Sequence, residues 1–262
     1  MWYLILGIEI GSDRRKKMYR FYVDKSQIGN DKVTIEGTDV NHIKNVLRLE
    51  KGDWIIACDG EGSDYVSRIS ELNSQYVEAV VEKVQDTDSE LGCRMVLFQG
   101  LPKKDKMEFI IQKAVELGAS EIVPVMTKRC VVKLGDEKKA KKKQERWQTI
   151  AEAAAKQSGR GIIPEVHEPV SLKNAFDIAS SLEYNMIPYE LQDGMDESRK
   201  IVEEACTKKS VGIFIGPEGG FEKEEVNEAI ERDIHPISLG KRILRTETAG
   251  MSLLSIMMFQ MQ

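Results

Sequence analysis

The chain has 262 residues, 41% of them hydrophobic and 31% charged, with a formal net charge of −5. That length allows one large domain or two small ones, and that composition excludes a disordered or a collagen-like chain. No apolar run approaches the ~18 residues of a membrane span, and Cys58, Cys93, Cys130 and Cys206 form no CxxC pair, as expected of single thiols in a reducing cytoplasm.

Residues 1–17 read as an N-terminal extension. Its apolar run, 2–8, precedes the basic cluster 14–17, the reverse of a signal peptide, and Met18 offers an alternative start. Residues 18–88 predict a compact β-barrel with short strands at 19–23, 32–36, 53–59, 65–69 and 76–84, separated by turns such as Asp59-Gly60-Glu61-Gly62. One helix interrupts them, with Thr38 as N-cap and Val40, Ile43, Val46 and Leu47 as its apolar stripe. After the polar linker Asp86-Thr87-Asp88-Ser89-Glu90 the periodicity changes. Residues 91–262 predict strands at 94–98, 121–126, 184–188, 211–215 and 236–239, with helices at 105–117, 146–158, 198–206, 222–232 and 246–261. Such alternation implies an α/β domain with a mostly parallel sheet.

Charge is unevenly spread. Residues 91–170 carry 16 basic against 10 acidic residues, whereas 18–88 carry 8 against 14 and 171–262 carry 10 against 16. A basic middle third can steer a polyanion on an acidic chain. Its lysine run at 138–143 reads first as a solvated helix face.

Five segments carry candidate chemistry. Phe214-Ile215-Gly216-Pro217-Glu218-Gly219-Gly220-Phe221 follows a buried strand, where open α/β sheets bind ligands. It matches neither GxGxxG nor a P-loop, so it is either a ligand loop or a structural turn. Ser238-Leu239-Gly240-Lys241-Arg242-Ile243-Leu244-Arg245-Thr246-Glu247 supplies arginines and a carboxylate at another strand end, the parts needed for anion stabilisation and proton handling. Arg245 and Glu247 could instead pair and cap the last helix. Lys103, Lys106 and Lys113 flank a helix carrying Gln112 and Glu116. Gln157, Ser158 and Arg160 emerge at the end of an alanine-rich helix, placed for phosphate or base contacts. Arg20, His42 and Arg48 lie in the barrel, where a histidine on an apolar helix is more often a core residue than a ligand. The scattered histidines and cysteines have no metal-ligand spacing, so no metal is expected.

Taken in order, MYRFYV, HIKNVLRLEKGD, KKDKMEFIIQKAVELGASEIVPV, EAAAKQSGR, FIGPEGGF and SLGKRILRTETA resemble the RsmE-like 16S ribosomal RNA (uracil-N3)-methyltransferases, over residues 18–262. The extension 1–17 departs from that pattern. The resemblance implies a small PUA-like β-barrel, an RNA-binding domain at 18–88, followed at 91–262 by an α/β SPOUT methyltransferase domain with a deep trefoil knot. It implies S-adenosyl-L-methionine (SAM) as cofactor, a homodimer, and 16S rRNA as partner within the 30S subunit. Three loops would hold SAM: Pro188 with Glu190; Ile215, Gly216, Glu218, Gly219 and Gly220; and Leu239, Gly240, Arg242, Ile243 and Leu244. Arg245, Glu247 and Arg242 would act in catalysis. Lys103, Lys106, Gln112, Lys113, Gln157 and Arg160 would contact RNA or line the cleft, and Arg20, His42 and Arg48 would extend the RNA surface. The alternatives are a ribose 2′-O-methyltransferase of the same superfamily and a non-catalytic RNA-binding assembly factor.

Overall fold

The computed structural model describes residues 18–130, 137–190 and 194–262; the extension 1–17 lies outside them. Two compact units form. One contains the residues up to Glu90 together with Ala155–Ile163; the other contains Leu91–Ala154 and Pro164–Gln262. The return of 155–163 to the first unit departs from the contiguous division expected from sequence.

In the first unit, β1 (Tyr19–Tyr22), β2 (Lys32–Glu36), β3 (Trp54–Cys58), β4 (Ser63–Leu72) and β5 (Tyr76–Asp86) form a sheet in the order β1-β3-β4-β5-β2. Only β1 and β3 run parallel. Phe21, Val33, Ile35, Ile55, Ile69 and Val77 alternate inward from their strands into one buried cluster. Among the described residues the ladder ends at β1 and β2, and no strand pairing closes the expected barrel. Helix α1 (Thr38–Asn41) starts one residue earlier than expected: Gly37 is the N-cap, and no side chain caps it. A π turn over His42–Val46 follows. Its extra residue per turn rotates the stripe, so Val40 and Ile43 are buried while Val46 is 64% exposed.

In the second unit, six strands lie in the order β12-β10-β11-β6-β7-β8, with β9 also on β7. They are β6 (Arg94–Gly100), β7 (Glu121–Met126), β8 (Glu165–Val166), β9 (Val170–Ser171), β10 (Tyr184–Pro188), β11 (Ser210–Ile215) and β12 (Ile234–Ile237). Every pairing is parallel. A parallel sheet is covered on both faces, which is why β6 reads as an uninterrupted apolar run. Phe98 and Phe214 are register partners, stacked 4.3 Å apart on one face. That face is covered by α4 (Leu172–Ala179) and α6 (Lys223–Glu231) through Phe176, Ala179, Val226 and Ala229. Gln99 and Ile215 point to the opposite face, towards Gly250 of α7 (Thr246–Met261). Helices α2 (Lys106–Glu116), α3 (Glu137–Ser158) and α5 (Met195–Ala205) complete the alternation. The expected last strand at 236–239 is shifted to β12, and β8, β9 and α4 were not expected. Lys138, Lys139, Lys141, Lys142 and Lys143 are exposed on α3, the solvated face expected for that run.

Candidate active site

Strands β12, β10 and β11 are adjacent and parallel, so their carboxyl ends open onto one place. The three segments leaving those ends, 188–190, 215–221 and 238–246, line a cavity of about 410 Å³. That volume lies within the roughly 300–1,000 Å³ of small-molecule sites, and its position follows the rule for open α/β sheets.

Hydrogen bonds fix the second and third of these loops. The turn 217–220 is closed by Gly220 N–H donating to Pro217 O at 2.9 Å, with Gly220 at φ +67°. Thr246 Oγ1 donates to Gly216 O at 2.6 Å and is itself 2.9 Å from Gln99 Nε2, which joins two loops to the buried end of β6. The third loop is held by Ser198 of α5, whose hydroxyl accepts from Ser238 N at 2.9 Å. Gly240 sits at φ +106°, and a Cβ there would meet no atom within 4 Å, so the backbone borders open space. Arg129, at the end of β7, donates to Gly219 O at 2.5 Å and to both Glu222 carboxylate oxygens.

Pro188, Glu190, Ile215, Gly216, Glu218, Gly220, Leu239, Gly240, Arg242, Ile243 and Leu244 all line the cavity. Gly219, also expected there, does not; it faces the Arg129 side chain. Tyr189, Pro217, Phe221, Ser238, Thr246, Ala249 and Lys106 complete the lining. Arg245 lines the cavity as the N-cap of α7 with its side chain exposed. It makes no ion pair with Glu247: Glu247 Oε2 is 3.3 Å from Lys106 Nζ, and that ammonium is 3.2 Å from Glu218 Oε1. Glu218 also accepts from Lys103 N–H. Burial pushes the Glu218 carboxyl up, but backbone N–H donors and the Lys106 ammonium outweigh it and hold it below its ordinary value. Lys106 is raised, chiefly by the hydrogen bond to Glu218.

The residues expected to meet RNA divide. Arg48, Lys103, Gln112 and Gln157 are exposed. His42 is half-buried, edge-on to Phe21. Lys113 is tied to Glu116 at 2.7 Å. Arg20 and Arg160 are corrections to the sequence reading, because their guanidinium groups are committed inside the first unit. Arg20 binds Asp64 at 2.6 Å and Gly159 O, and Arg160, 4% exposed, binds the Glu90 carboxylate. Lys106 is an ion-paired cavity residue, at the cleft rather than on the RNA surface, the second of the two places expected for it. Its sequence signal was its place just beyond the end of β6, beside the other ligand loops. Among the described residues no helix is long and apolar enough to cross a membrane.

Residues 89–258 match the family described as "RNA methyltransferase domain", and residues 35–82 match the "RNA methyltransferase PUA domain". The ribosomal RNA small subunit methyltransferase E of Bacillus subtilis is 37% identical, covering 93% of this chain and 97% of that protein. The crystal structure of the Neisseria gonorrhoeae ribosomal RNA small subunit methyltransferase E, bound to S-adenosyl methionine, is 32% identical. It superposes with a TM-score of 0.74 and covers 92% of this chain and 96% of that one. A Legionella pneumophila protein solved with bound SAM is 29% identical, with a TM-score of 0.74 over 92% of this chain and 97% of that one. The PUA-like first unit, the parallel α/β second unit and these relatives agree: the chain belongs to the RNA methyltransferase family, alongside the ribosomal RNA small subunit methyltransferase E proteins.

Proposed function

We propose that this protein catalyses SAM-dependent methylation of N3 of a uridine in 16S rRNA. The observation that carries this reading is the cavity itself. Three loops, two of them bearing glycine, converge at the carboxyl ends of three adjacent parallel strands, directly beside Lys106, Arg245 and Glu247. The residues fit the cofactor: open room along Gly240, backbone groups for an adenine, and enough volume for one SAM molecule. Gly216, Gly220, Leu239, Gly240 and Leu244 would hold it. Bound there, SAM supplies an electrophilic methyl group.

The chain must supply the rest. N3 of uracil carries a proton and becomes nucleophilic only when that proton leaves. Glu247 is assigned as the base; its other expected role, orienting Arg245, finds no support, since its carboxylate pairs with Lys106. Arg245, with Arg242 as the alternative, stabilises the charge that spreads onto O2 and O4. The target base must be unstacked to enter the cavity, so folded rRNA, as in the 30S subunit, is the suited partner. The first unit is assigned as the RNA-binding domain, with Arg48 and Gln157 as exposed contacts; on the second unit Lys103 and Gln112 are the exposed candidates.

The deep trefoil knot of the SPOUT fold is part of this proposal. It is supported by the path after β12: from the sheet edge, 238–245 return past the ends of β10 and β11 before α7 reaches Ile215. A homodimer is supported by α7, which is apolar on the side away from its own sheet.

The test is Arg245→Ala, assayed on 30S particles lacking the modification, with nucleosides analysed after digestion. The expected outcome is N3-methyluridine from the wild type and, in the variant, a rate lower by about 100-fold or more with SAM affinity within a few-fold. Ribose-methylated product from the wild type would establish the rival acceptor. An equal loss of SAM binding in the variant would remove the catalytic assignment of Arg245.

A further inference from the structure

We propose that Lys106 is a catalytic residue, donating a hydrogen bond from its ammonium to a uracil oxygen while holding Glu247 beside N3. The inference rests on the methyltransferase reading above and deepens it.

The argument starts from donor arithmetic. A lysine ammonium has three N–H donors and no acceptor. Two lie against Glu218, at 3.2 Å, and Glu247, at 3.3 Å. Glu218 comes from the cavity loop 215–221, Glu247 from the first turn of α7, and Lys106 itself from the start of α2, beyond β6. Three elements therefore meet at one nitrogen, which lines the cavity with its side chain 32% exposed. The third donor is left for the cavity.

Charge then selects the partner. Lys106, Glu218 and Glu247 together carry one net negative charge. Two carboxylates already neutralise that ammonium, which penalises a phosphate at this nitrogen, so Lys106 is less suited than a free lysine to the RNA backbone contact its sequence context suggested. A neutral imide carbonyl meets no such penalty. As the imide ionises, negative charge grows on that oxygen, and a fixed ammonium becomes worth more in the transition state than in the ground state. The surrounding charges are Glu190, Glu218, Arg242, Arg245 and Glu247, all at the cavity or bonded to Lys106.

The step balances. The N3–H bond breaks and its proton passes to the Glu247 carboxylate. The N3–CH3 bond forms as the methyl–sulfur bond breaks, its electron pair staying on sulfur, so a cationic sulfonium leaves as a neutral thioether. Lys106 keeps its proton throughout.

The test uses Lys106→Met and Lys106→Arg in the full chain. Single-turnover methylation of unmodified 30S particles is followed from about pH 6 to 9, with SAM affinity measured by calorimetry and folding by thermal melting. In Lys106→Met the rate should fall about 100-fold or more at neutral pH, with SAM affinity within about 3-fold, and Lys106→Arg should recover part of it. The Met variant should also gain about tenfold per pH unit where the wild type is flat, because solution ionisation of N3 replaces the missing help. If Lys106→Met does not fold, Lys106→Gln carries the same measurements. A rate within about 3-fold of wild type, a parallel loss of SAM affinity, or recovery by added RNA alone would each overturn the assignment. A wild type that makes no N3-methyluridine would overturn the functional reading instead.

Discussion

Gly240 and Gly212 show how one residue type serves two purposes in this sheet. Gly240 borders the cavity in a left-handed conformation with nothing near its missing side chain. Gly212 lies inside β11, where a Cβ would come within 2.1 Å of Asn185 Oδ1 and 3.0 Å of Phe98. Replacing Gly240 by valine therefore meets strain but no clash, a cost of about 1–2 kcal/mol. The expected result is a melting temperature lower by only a few degrees and SAM affinity reduced by at least about tenfold, as the branched side chain takes room beside the loop. Gly212→Val should fail to fold instead. Calorimetry on soluble Gly240→Val decides it; unchanged affinity would mean that the loop does not border the bound cofactor.

At this scale the site was readable because glycine and polar residues follow two of the three strand ends, and ligand sites follow strand ends. Gly219 was misplaced for a local reason. In a tight turn neighbouring residues face opposite ways, and Gly219 turns to Arg129, from a strand 90 residues earlier. Nothing in the local pattern of Thr127-Lys128-Arg129-Cys130 announces that clamp.

Elements carry a second kind of information, the electrostatics of the ends that do not bind ligand. At the amino-terminal end of β7, Glu121 accepts from Arg94 of β6 at 2.5 Å and lies 2.9 Å from His167 Nε2. The hydrogen bond from His167, helped by Arg94 against burial, holds the Glu121 carboxyl down at about 2. Glu121 in turn raises His167, against burial. The signs give a window. Glu121 is depressed, so its contribution is full above the ordinary carboxylate value near 4.5 and is lost as pH falls towards about 2. His167 is raised, so its contribution is full below its ordinary 6.5 and is lost as pH climbs through its folded value. Stability from this triad is therefore greatest between those two limits. The Glu121 shift alone corresponds to roughly 3 kcal/mol at most. His167→Gln should flatten the alkaline side of a melting-temperature profile and shift its acid limb to higher pH. A profile identical to wild type would show that the triad contributes nothing to folding.

The parallel sheet was legible because both-face burial leaves unbroken apolar runs. β8 and β9 escaped notice because two-residue strands carry no period, and α4 because its turns are short and preceded by mixed polarity. The shifted helix stripe near Val46 was hidden by the π turn, a backbone irregularity that no residue type marks.

For the whole molecule, the division into units shows what local patterns omit. Residues 155–163 belong with the first unit because Arg160 grips Glu90, Arg20 reaches Gly159 O, and Tyr22 donates to Arg160 O. Such pairings join residues about 70 to 140 positions apart, and hydrophobic periodicity has no access to them. The last helix offers the reverse case, where pattern exceeds what one chain uses. In α7, Thr246, Gly250, Leu253, Leu254 and Met257 form the buried stripe expected of an amphipathic helix. Yet the helix is apolar beyond that stripe: Ile256 is 43% and Phe259 82% exposed, three residues apart on the other side. A helix apolar all round is buried on both sides, and a second copy of the same helix offers matching chemistry by two-fold symmetry. The expectation is a dimer in solution that Phe259→Glu, alone or with Ile256→Glu, converts to a folded monomer. Since neither side chain belongs to the chain's own buried core, the melting transition of the monomer should persist. Sedimentation of wild type and variant decides the matter: a monomeric wild type, or a double variant still dimeric, would remove α7 as the interface. If the active site is completed by the partner, the monomer should keep its SAM affinity and lose methylation. If each chain is sufficient, both should survive.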